Sequence, residues 1–138
     1  MSEHLKEKLE RLQQIVTQLI EESISETLIV VEGQKDLNTL RQFGVSGKIL
    51  AIKVGGKSLT TFLQEIEQSP PQRLILLLDF DRRGREMTAK FKQELEHERI
   101  KVDLTFWRAI RALAGREIQC IESLTSYLQT LEQKSAKM

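Results

Sequence analysis

Three carboxylates follow apolar runs that are typical of buried β-strands. Glu32 comes directly after residues 28–31, and Asp79 and Asp81 come after residues 73–78. In parallel α/β sheets, ligands bind beyond the carboxyl ends of the strands, where both of these runs carry acids. Because Asp79 and Asp81 are two positions apart, their side chains can face the same side of an extended chain. The spacing therefore predicts that the three acids meet at one edge of a sheet.

Carboxylates gathered at one edge repel each other, and burial strengthens the repulsion. A bound cation removes the conflict, and oxygen ligands without a neighbouring His or Cys favour a hard ion, Mg²⁺ or Mn²⁺. The only cysteine, Cys120, excludes a cysteine-based zinc cluster. Gly33 and Gly84 lie close behind the acids and are predicted to form the turns after the strands. The alternative is that each acid caps the following helix or lies in water.

Basic residues follow the same predicted strand ends, and we expect them to face the acids. They are Lys35, Lys57, Arg82, Arg83 and Arg85. Guanidinium and ammonium groups around a metal ion, together with the backbone N–H groups of helix starts, are typical of a phosphate-binding surface. The alternative is that Arg82 and Arg83 only neutralise the nearby acids.

Composition limits the class of protein. The chain has 138 residues with a formal net charge of +1, so any nucleic-acid surface must come from local concentration of charge. A hydrophobic fraction of 40% and a charged fraction of 30% are typical of a globular domain. No apolar run approaches the ~20 residues that span a bilayer, and the N-terminus lacks the layout of a signal peptide. We therefore expect a cytoplasmic protein with no membrane contact.

Strand and helix patterns alternate along the chain, which favours a mostly parallel four-stranded sheet with helices on both faces. The predicted strands are 28–31, 48–54, 73–78 and 100–104, and the predicted helices are 3–23, 34–43, 58–66, 85–98 and 105–114. The last segment, 118–131, is predicted as one helix or two short ones. We expect one domain over 1–138, made of an N-terminal helix (1–25), an α/β core (26–115) and a C-terminal helical extension (116–138). The apolar stripe of the N-terminal helix either packs on the sheet or forms a partner interface such as a homodimer.

Two segments together resemble the motifs of a Toprim domain, the catalytic module of topoisomerases, bacterial-type primases, certain nucleases and ribosomal-RNA maturases. They are LIVVEGQKDLNTL (28–40), with Glu32 and Gly33, and LILLLDFDRRGRE (74–86), with Asp79, Asp81 and Gly84. The resemblance covers about 26–115 and is nearest to small stand-alone Toprim proteins of archaea and to the rRNA-maturase type. It implies a compact Rossmann-like fold.

The resemblance also implies roles for the three acids. Glu32 corresponds to the glutamate regarded as a general acid or base, and Asp79 and Asp81 correspond to the aspartates that hold Mg²⁺. One position departs from the topoisomerase pattern, because Arg83 stands where topoisomerases carry a third aspartate. That departure argues against topoisomerase chemistry, and so does the single tyrosine, Tyr127, which lies in a C-terminal helical pattern.

Three functions remain open at this point. The first is a Mg²⁺-dependent enzyme acting on nucleic-acid phosphodiesters, of nuclease or RNA-processing type, with Glu32, Asp79 and Asp81 as catalytic residues and Glu32 as a further metal ligand. The second is a non-catalytic RNA- or DNA-binding module that uses the metal to hold phosphate. The third and weaker one is a primase-related protein, which the absence of further primase domains disfavours.

Overall fold

The computed structural model describes residues 2–53 and 59–136. Strands and helices alternate through most of the chain, as the sequence predicts. The elements are α1 (Ser2–Ser23), β1 (Thr27–Val31), α2 (Gln34–Phe43), β2 (Lys48–Ala51), α3 (Leu59–Gln68), β3 (Arg73–Leu77), α4 (Arg82–His97), β4 (Val102–Asp103), α5 (Thr105–Ala114), a 3-10 turn (Ile121–Ser123) and α6 (Leu124–Ala136).

The four strands form one parallel sheet in the order β2-β1-β3-β4. Val31 lies beside Ala51 on one side and beside Leu77 on the other. The carboxyl ends of β1 and β3 are therefore adjacent, at the centre of the sheet. This architecture confirms the predicted α/β class with its four-stranded parallel sheet.

The edge strand β4 is shorter than the predicted strand 100–104, for a local reason. Asp103 turns its carboxylate out of the strand, where it accepts a hydrogen bond from the backbone N–H of Thr105 at 2.8 Å. This bond ends the strand and begins α5. The last predicted segment, 118–131, contains two short helical elements rather than one helix, because the 3-10 turn precedes α6, and α6 continues to Ala136.

Two apolar layers cover the two faces of the sheet. In β1, Ile29 and Val31 belong to one layer and Leu28 and Val30 to the other, as the two-residue period of a strand requires. The first layer is completed by α1, α2, α5 and α6, and the second by α3 and α4. Strands buried on both faces explain the continuous apolar runs in the sequence.

The apolar stripe of α1 packs within the chain. Leu12 and Leu19 are buried, and they belong to the same cluster as Leu128 and Leu131 of α6. Burial of each such leucine contributes about 2 kcal/mol. Of the two predictions for this stripe, internal packing is the one that the structure shows, and a homodimer through α1 stays a prediction. No helix among the described residues has the length and apolar character to cross a membrane.

Candidate metal centre

Glu32 lies at the carboxyl end of β1 with both of its carboxylate oxygens engaged. Oε1 accepts a hydrogen bond from the backbone N–H of Asp79 at 3.2 Å, across the junction between β1 and β3. Oε2 forms an ion pair with Nζ of Lys53 at 2.8 Å. The residue is only 3% exposed, so this ion pair supplies the counter-charge that a buried carboxylate needs. The sequence did not indicate Lys53 as a site residue, because its proximity to Glu32 depends on the pairing of β1 with β2.

One oxygen of Asp79 lacks a hydrogen-bond partner within the described part of the chain. This atom, Oδ1, is buried. Burial, followed by the neighbouring carboxyl of Glu32 and the charges of Asp36 and Asp81, raises the pKa of Asp79 to about 7. With Asp79 and Glu32 both ionised, two carboxylates face each other without a shared donor. A proton on Asp79, or a bound cation, resolves this arrangement.

A fourth acid, Asp36, lies beside this pair, and the sequence analysis missed it. It is 5% exposed and accepts hydrogen bonds from the backbone N–H of Gly33 at 3.0 Å and of Glu122 at 2.9 Å. Burial raises the pKa of Asp36, although the two backbone hydrogen bonds act in the opposite direction. The spacing of Asp36 three residues after Gly33, as in a capping box, is a signal that could have revealed it.

Asp81 is the N-cap of α4. Its Oδ1 atom accepts a hydrogen bond from the backbone N–H of Gly84 at 2.7 Å. The capping alternative considered from the sequence therefore holds for one oxygen of this residue. Across 2–53 and 59–136, no three His, Cys, Asp or Glu side chains converge closely enough to form a ready metal cage. The structure brings Glu32 and Asp79 together and directs Asp81 toward the helix start, so the three-carboxylate ligand set stays a prediction.

The two predicted turn glycines differ in how strictly they are required. A Cβ atom on Gly84 would lie 2.2 Å from the backbone oxygen of Asp79, closer than any real contact. Gly84 therefore allows the start of α4 to pack directly on the residue that carries the unpaired carboxylate. A Cβ atom on Gly33 would lie 3.6 Å from Oδ2 of Asp36, which is an ordinary contact.

Two long-range hydrogen bonds hold the segment after β3 in place. The indole Nε1–H of Trp107 donates to the backbone oxygen of Leu78 at 2.9 Å. The backbone N–H of Phe80 donates to the backbone oxygen of Gln119 at 2.7 Å. Phe80 itself is buried, and its ring lies 6.1 Å from that of Trp107. The backbone on both sides of Asp79 is thus tied to α5 and to the segment that follows it.

The predicted phosphate-binding residues do not all lie together. Arg82 and Arg85, in the first turn of α4, line an open groove of about 1300 Å³ that also contacts Asp81. Arg83 and Lys35 are exposed but do not line this groove. Lys57 lies outside the described residues. Three further arginines line the groove, and the sequence analysis did not select them: Arg108, Arg111 and Arg116.

The sequence of this chain matches a known protein family. The model of the Toprim domain matches residues 27–107, more than half of the chain. The chain belongs to the Toprim domain family. The match includes both motifs and every acid described above, from Glu32 to Asp81.

Curated relatives of this Toprim chain are small archaeal proteins. It is 30% identical over 131 residues to a UPF0292 protein of Methanosarcina acetivorans, covering 94% of this chain and 88% of that one. It is 33% identical over 122 residues to a UPF0292 protein of Methanocaldococcus jannaschii, covering 88% of this chain and 93% of that one. A solved structure from Aquifex aeolicus has the same fold, with a TM-score of 0.67 at 24% identity, over 80% of this chain and 95% of that chain.

Toprim domains generally bind a divalent metal ion, typically Mg²⁺, and the side chains present here fit such an ion. The fit rests on the buried Oδ1 atom of Asp79, which has no hydrogen-bond donor among the described residues, and on the acids around it. All of these candidate donor atoms are carboxylate oxygens, which suit a hard cation. Membership of the family indicates a metal-dependent function connected with nucleic acid.

Proposed function

We propose that this protein is a Mg²⁺-dependent enzyme that acts on nucleic-acid phosphodiesters, of nuclease or RNA-processing type. One observation carries the proposal: Glu32 is buried beside the half-buried Asp79, whose Oδ1 atom is itself buried without a hydrogen-bond partner among the described residues. Burying such a pair is costly, so a structural role alone does not account for it. A site of this kind, with a strongly shifted pKa, is typical of catalysis.

Asp79 would be the principal metal ligand, with Glu32 and the oxygen of Asp81 that does not cap α4 as further ligands. When bound, the ion would neutralise developing negative charge on a phosphodiester. Glu32 would hold or accept a proton at Oε2, the atom that forms the ion pair with Lys53. Arg82 and Arg85 lie on the groove beside Asp81 and would bind the flanking phosphates.

Cleavage assays with two variants test this proposal. Labelled RNA and DNA, single-stranded and duplex, are incubated with the wild-type protein in Mg²⁺, in Mn²⁺ and in chelator. We expect cleavage only with metal, and a loss of about 10²-fold or more in Asp79→Asn and in Glu32→Gln, since each removes a charged group from the site. Glu94→Gln is the matched control, because Glu94 is exposed on α4.

One outcome of these assays would contradict the proposed enzymatic function. Metal-stimulated cleavage that is equal in the wild type, Asp79→Asn and Glu32→Gln would remove these acids from the chemistry. Thermal melts of each variant show whether its fold survives, so that a loss of activity is not mistaken for unfolding.

A second candidate function is a non-catalytic nucleic-acid-binding module. The arginines along the groove beside Asp81 favour it, because they supply affinity for phosphate without any chemistry. This function predicts that metal increases affinity while the nucleic acid stays intact in every assay condition. The same set of assays, read for bound and for cleaved nucleic acid, separates the two candidates.

A further inference from the structure

A groove runs beside the candidate metal centre on the side of α5. Its walls come from the start of α1, from the first turn of α4, from α5 and from residues 115–120, and its volume is about 1300 Å³. Asp81 lies on its lining, so the groove opens next to the carboxylates. Its arginines are Arg82, Arg85, Arg108, Arg111 and Arg116.

These arginines give the groove a large positive excess. Within the part of the chain that the structure describes, Arg85, Arg108 and Arg116 have no carboxylate partner, whereas Arg82 pairs with Glu86. The acids on the lining are Asp81 and Glu117, and Glu117 is paired with Lys8 at 3.8 Å. The whole chain has a net charge of only +1, so this concentration of cations is local. A surface of this kind recognises a polyanion.

The size and lining of the groove narrow the choice of polyanion. Pockets for small ligands enclose roughly 300–1,000 Å³, and this open groove exceeds that range. Apolar side chains, among them Leu113 and Ile118, line it together with the arginines. Apolar contacts suit the bases of a single strand, whereas a duplex presents mainly phosphates to a protein surface.

Arg111 adds a feature that is specific for bases. Its guanidinium carbon lies 5.5 Å from the centre of the Trp107 ring, and Trp107 is buried. The guanidinium therefore lies over a buried ring in a cation–π contact, which reduces the entropy that it would lose on binding. A planar guanidinium is also a surface on which a base can stack.

We propose that this groove binds single-stranded nucleic acid, with backbone phosphates on Arg85, Arg108 and Arg116 and a base stacked on Arg111. The strand then passes Asp81 toward Asp79. The interpretation of this strand as the substrate rests on the proposed function, whereas its binding does not require the metal. Arg108 and Arg116 thus extend the phosphate-binding surface beyond the residues that follow the strand ends, and Arg111 adds a surface for a base.

The test measures binding in chelator, so that metal-dependent chemistry does not contribute. Fluorescence anisotropy follows the full chain with labelled single-stranded RNA, single-stranded DNA and the corresponding duplexes. The test variant is Arg108→Ala with Arg116→Ala, since neither side chain has an ion pair among the described residues. The matched control is Lys90→Ala with Lys101→Ala, which removes the same charge from exposed positions outside the groove.

We expect tighter binding of single strands than of duplexes and a loss of about tenfold in the test variant, with little change in the control. The slope of log affinity against log salt should fall by about 0.7 for each lost phosphate contact. Comparison of RNA with DNA identifies the preferred strand. Replacement of the same two arginines by lysine should recover the salt slope but only part of the affinity, because lysine lacks the planar guanidinium.

Three results would overturn the inference. They are no binding of single strands, duplex binding at least as tight as single-strand binding, and equal losses in the test and control variants. Asp79→Asn separates this inference from the proposed function, because the variant should bind single strands normally in chelator even though it cleaves nothing. If Asp79→Asn loses cleavage but still binds single strands, both proposals are supported. If the wild type does not cleave but binds single strands through the groove, only the proposed enzymatic function is contradicted.

Discussion

The carboxyl group of Asp79 is half-buried beside other acids, and we expect it to affect how the stability of the metal-free protein depends on pH. Burial and the neighbouring acids raise its pKa from the usual 3.8 to about 7. The folded state therefore holds this proton more tightly than the unfolded state does. As pH rises from about 4 to about 7, the unfolded chain loses the proton first, so this group lowers the free energy of unfolding. Its destabilising contribution is complete above about pH 7.

Asp79→Asn should consequently stabilise the metal-free protein at high pH. The amide keeps the shape of the side chain but carries no charge, and its NH₂ group can donate to Glu32. We expect the Tm in chelator to rise by about 5 °C at pH 8 and the gain to shrink as the pH falls toward 4, as followed by circular dichroism. A gain in Tm that is independent of pH would contradict the raised pKa of Asp79.

Asp103→Asn is the contrasting control for that experiment. Burial alone would raise the pKa of Asp103, but hydrogen bonds from Thr105 and the ion pair with Arg73 hold it below its usual value. Its stabilising contribution is present above the unfolded pKa and is lost as the pH falls through the folded pKa. Asp103→Asn should therefore lower the Tm at pH 8, opposite in sign to Asp79→Asn.

At the scale of elements, the turn that joins β3 to α4 determines where Asp79 and Asp81 lie. Asp81 caps α4, and Gly84 brings the first turn of that helix onto the backbone of Asp79. The peptide groups on either side are held by Trp107 and Gln119. The packing of α4 and the hydrogen bonds with Trp107 and Gln119 therefore fix the turn. They keep the acids at the carboxyl edge of the sheet in one arrangement.

Gly84→Ala should disturb this turn, because its methyl group would collide with the backbone of Asp79. Relief requires movement of the helix start, and we expect the free energy of unfolding to fall by about 1–3 kcal/mol. Gly33→Ala is the control, with a change within about 0.5 kcal/mol, because its Cβ has an ordinary contact and its φ is −127°. Urea denaturation measures both, and equal effects of the two substitutions would contradict the packing argument.

For the molecule as a whole, the terminal helices share their core with the sheet. Leu12 of α1 and Leu128 of α6 belong to the same apolar cluster as Ile29 of β1 and Ile75 of β3. The hydrogen bond between Asp36 and the backbone of Glu122 adds a polar link between α2 and the 3-10 turn. We therefore propose that 1–138 unfolds as one domain, and that the N-terminal helix and the C-terminal extension are integral parts of it.

Leucine-to-alanine substitutions in the terminal helices test this proposal. Leu12→Ala should lower the free energy of unfolding by about 2–5 kcal/mol, because Leu12 is fully buried, and Leu128→Ala should lower it by a similar or smaller amount. In calorimetry, both should shift one transition whose calorimetric and van't Hoff enthalpies agree. A separate early transition in either variant, with the rest of the protein still folded, would show that the helix is an independent unit.

Much of the fold follows from local patterns in the chain. The runs at 28–31 and 73–78 predict buried strands because a strand covered on both faces must be continuously apolar. Once the strands are parallel, Glu32 and Asp79 are placed at the same edge of the sheet by chain direction alone. The class of fold, the meeting of Glu32 and Asp79 at one edge of the sheet and the Toprim family were therefore predictable from the sequence by itself, whereas their role as a metal site stays a prediction.

The partners of those acids depend on residues far apart in the chain, and only the tertiary structure decides them. Lys53 pairs with Glu32 because β2 lies beside β1, and Asp36 is bound by the backbone of a residue 86 positions away. The arginine groove forms because α5 and the segment after it pack next to the start of α4. Local periodicity carries no signal for such contacts, since burial, pKa and the convergence of charge are set by long-range packing.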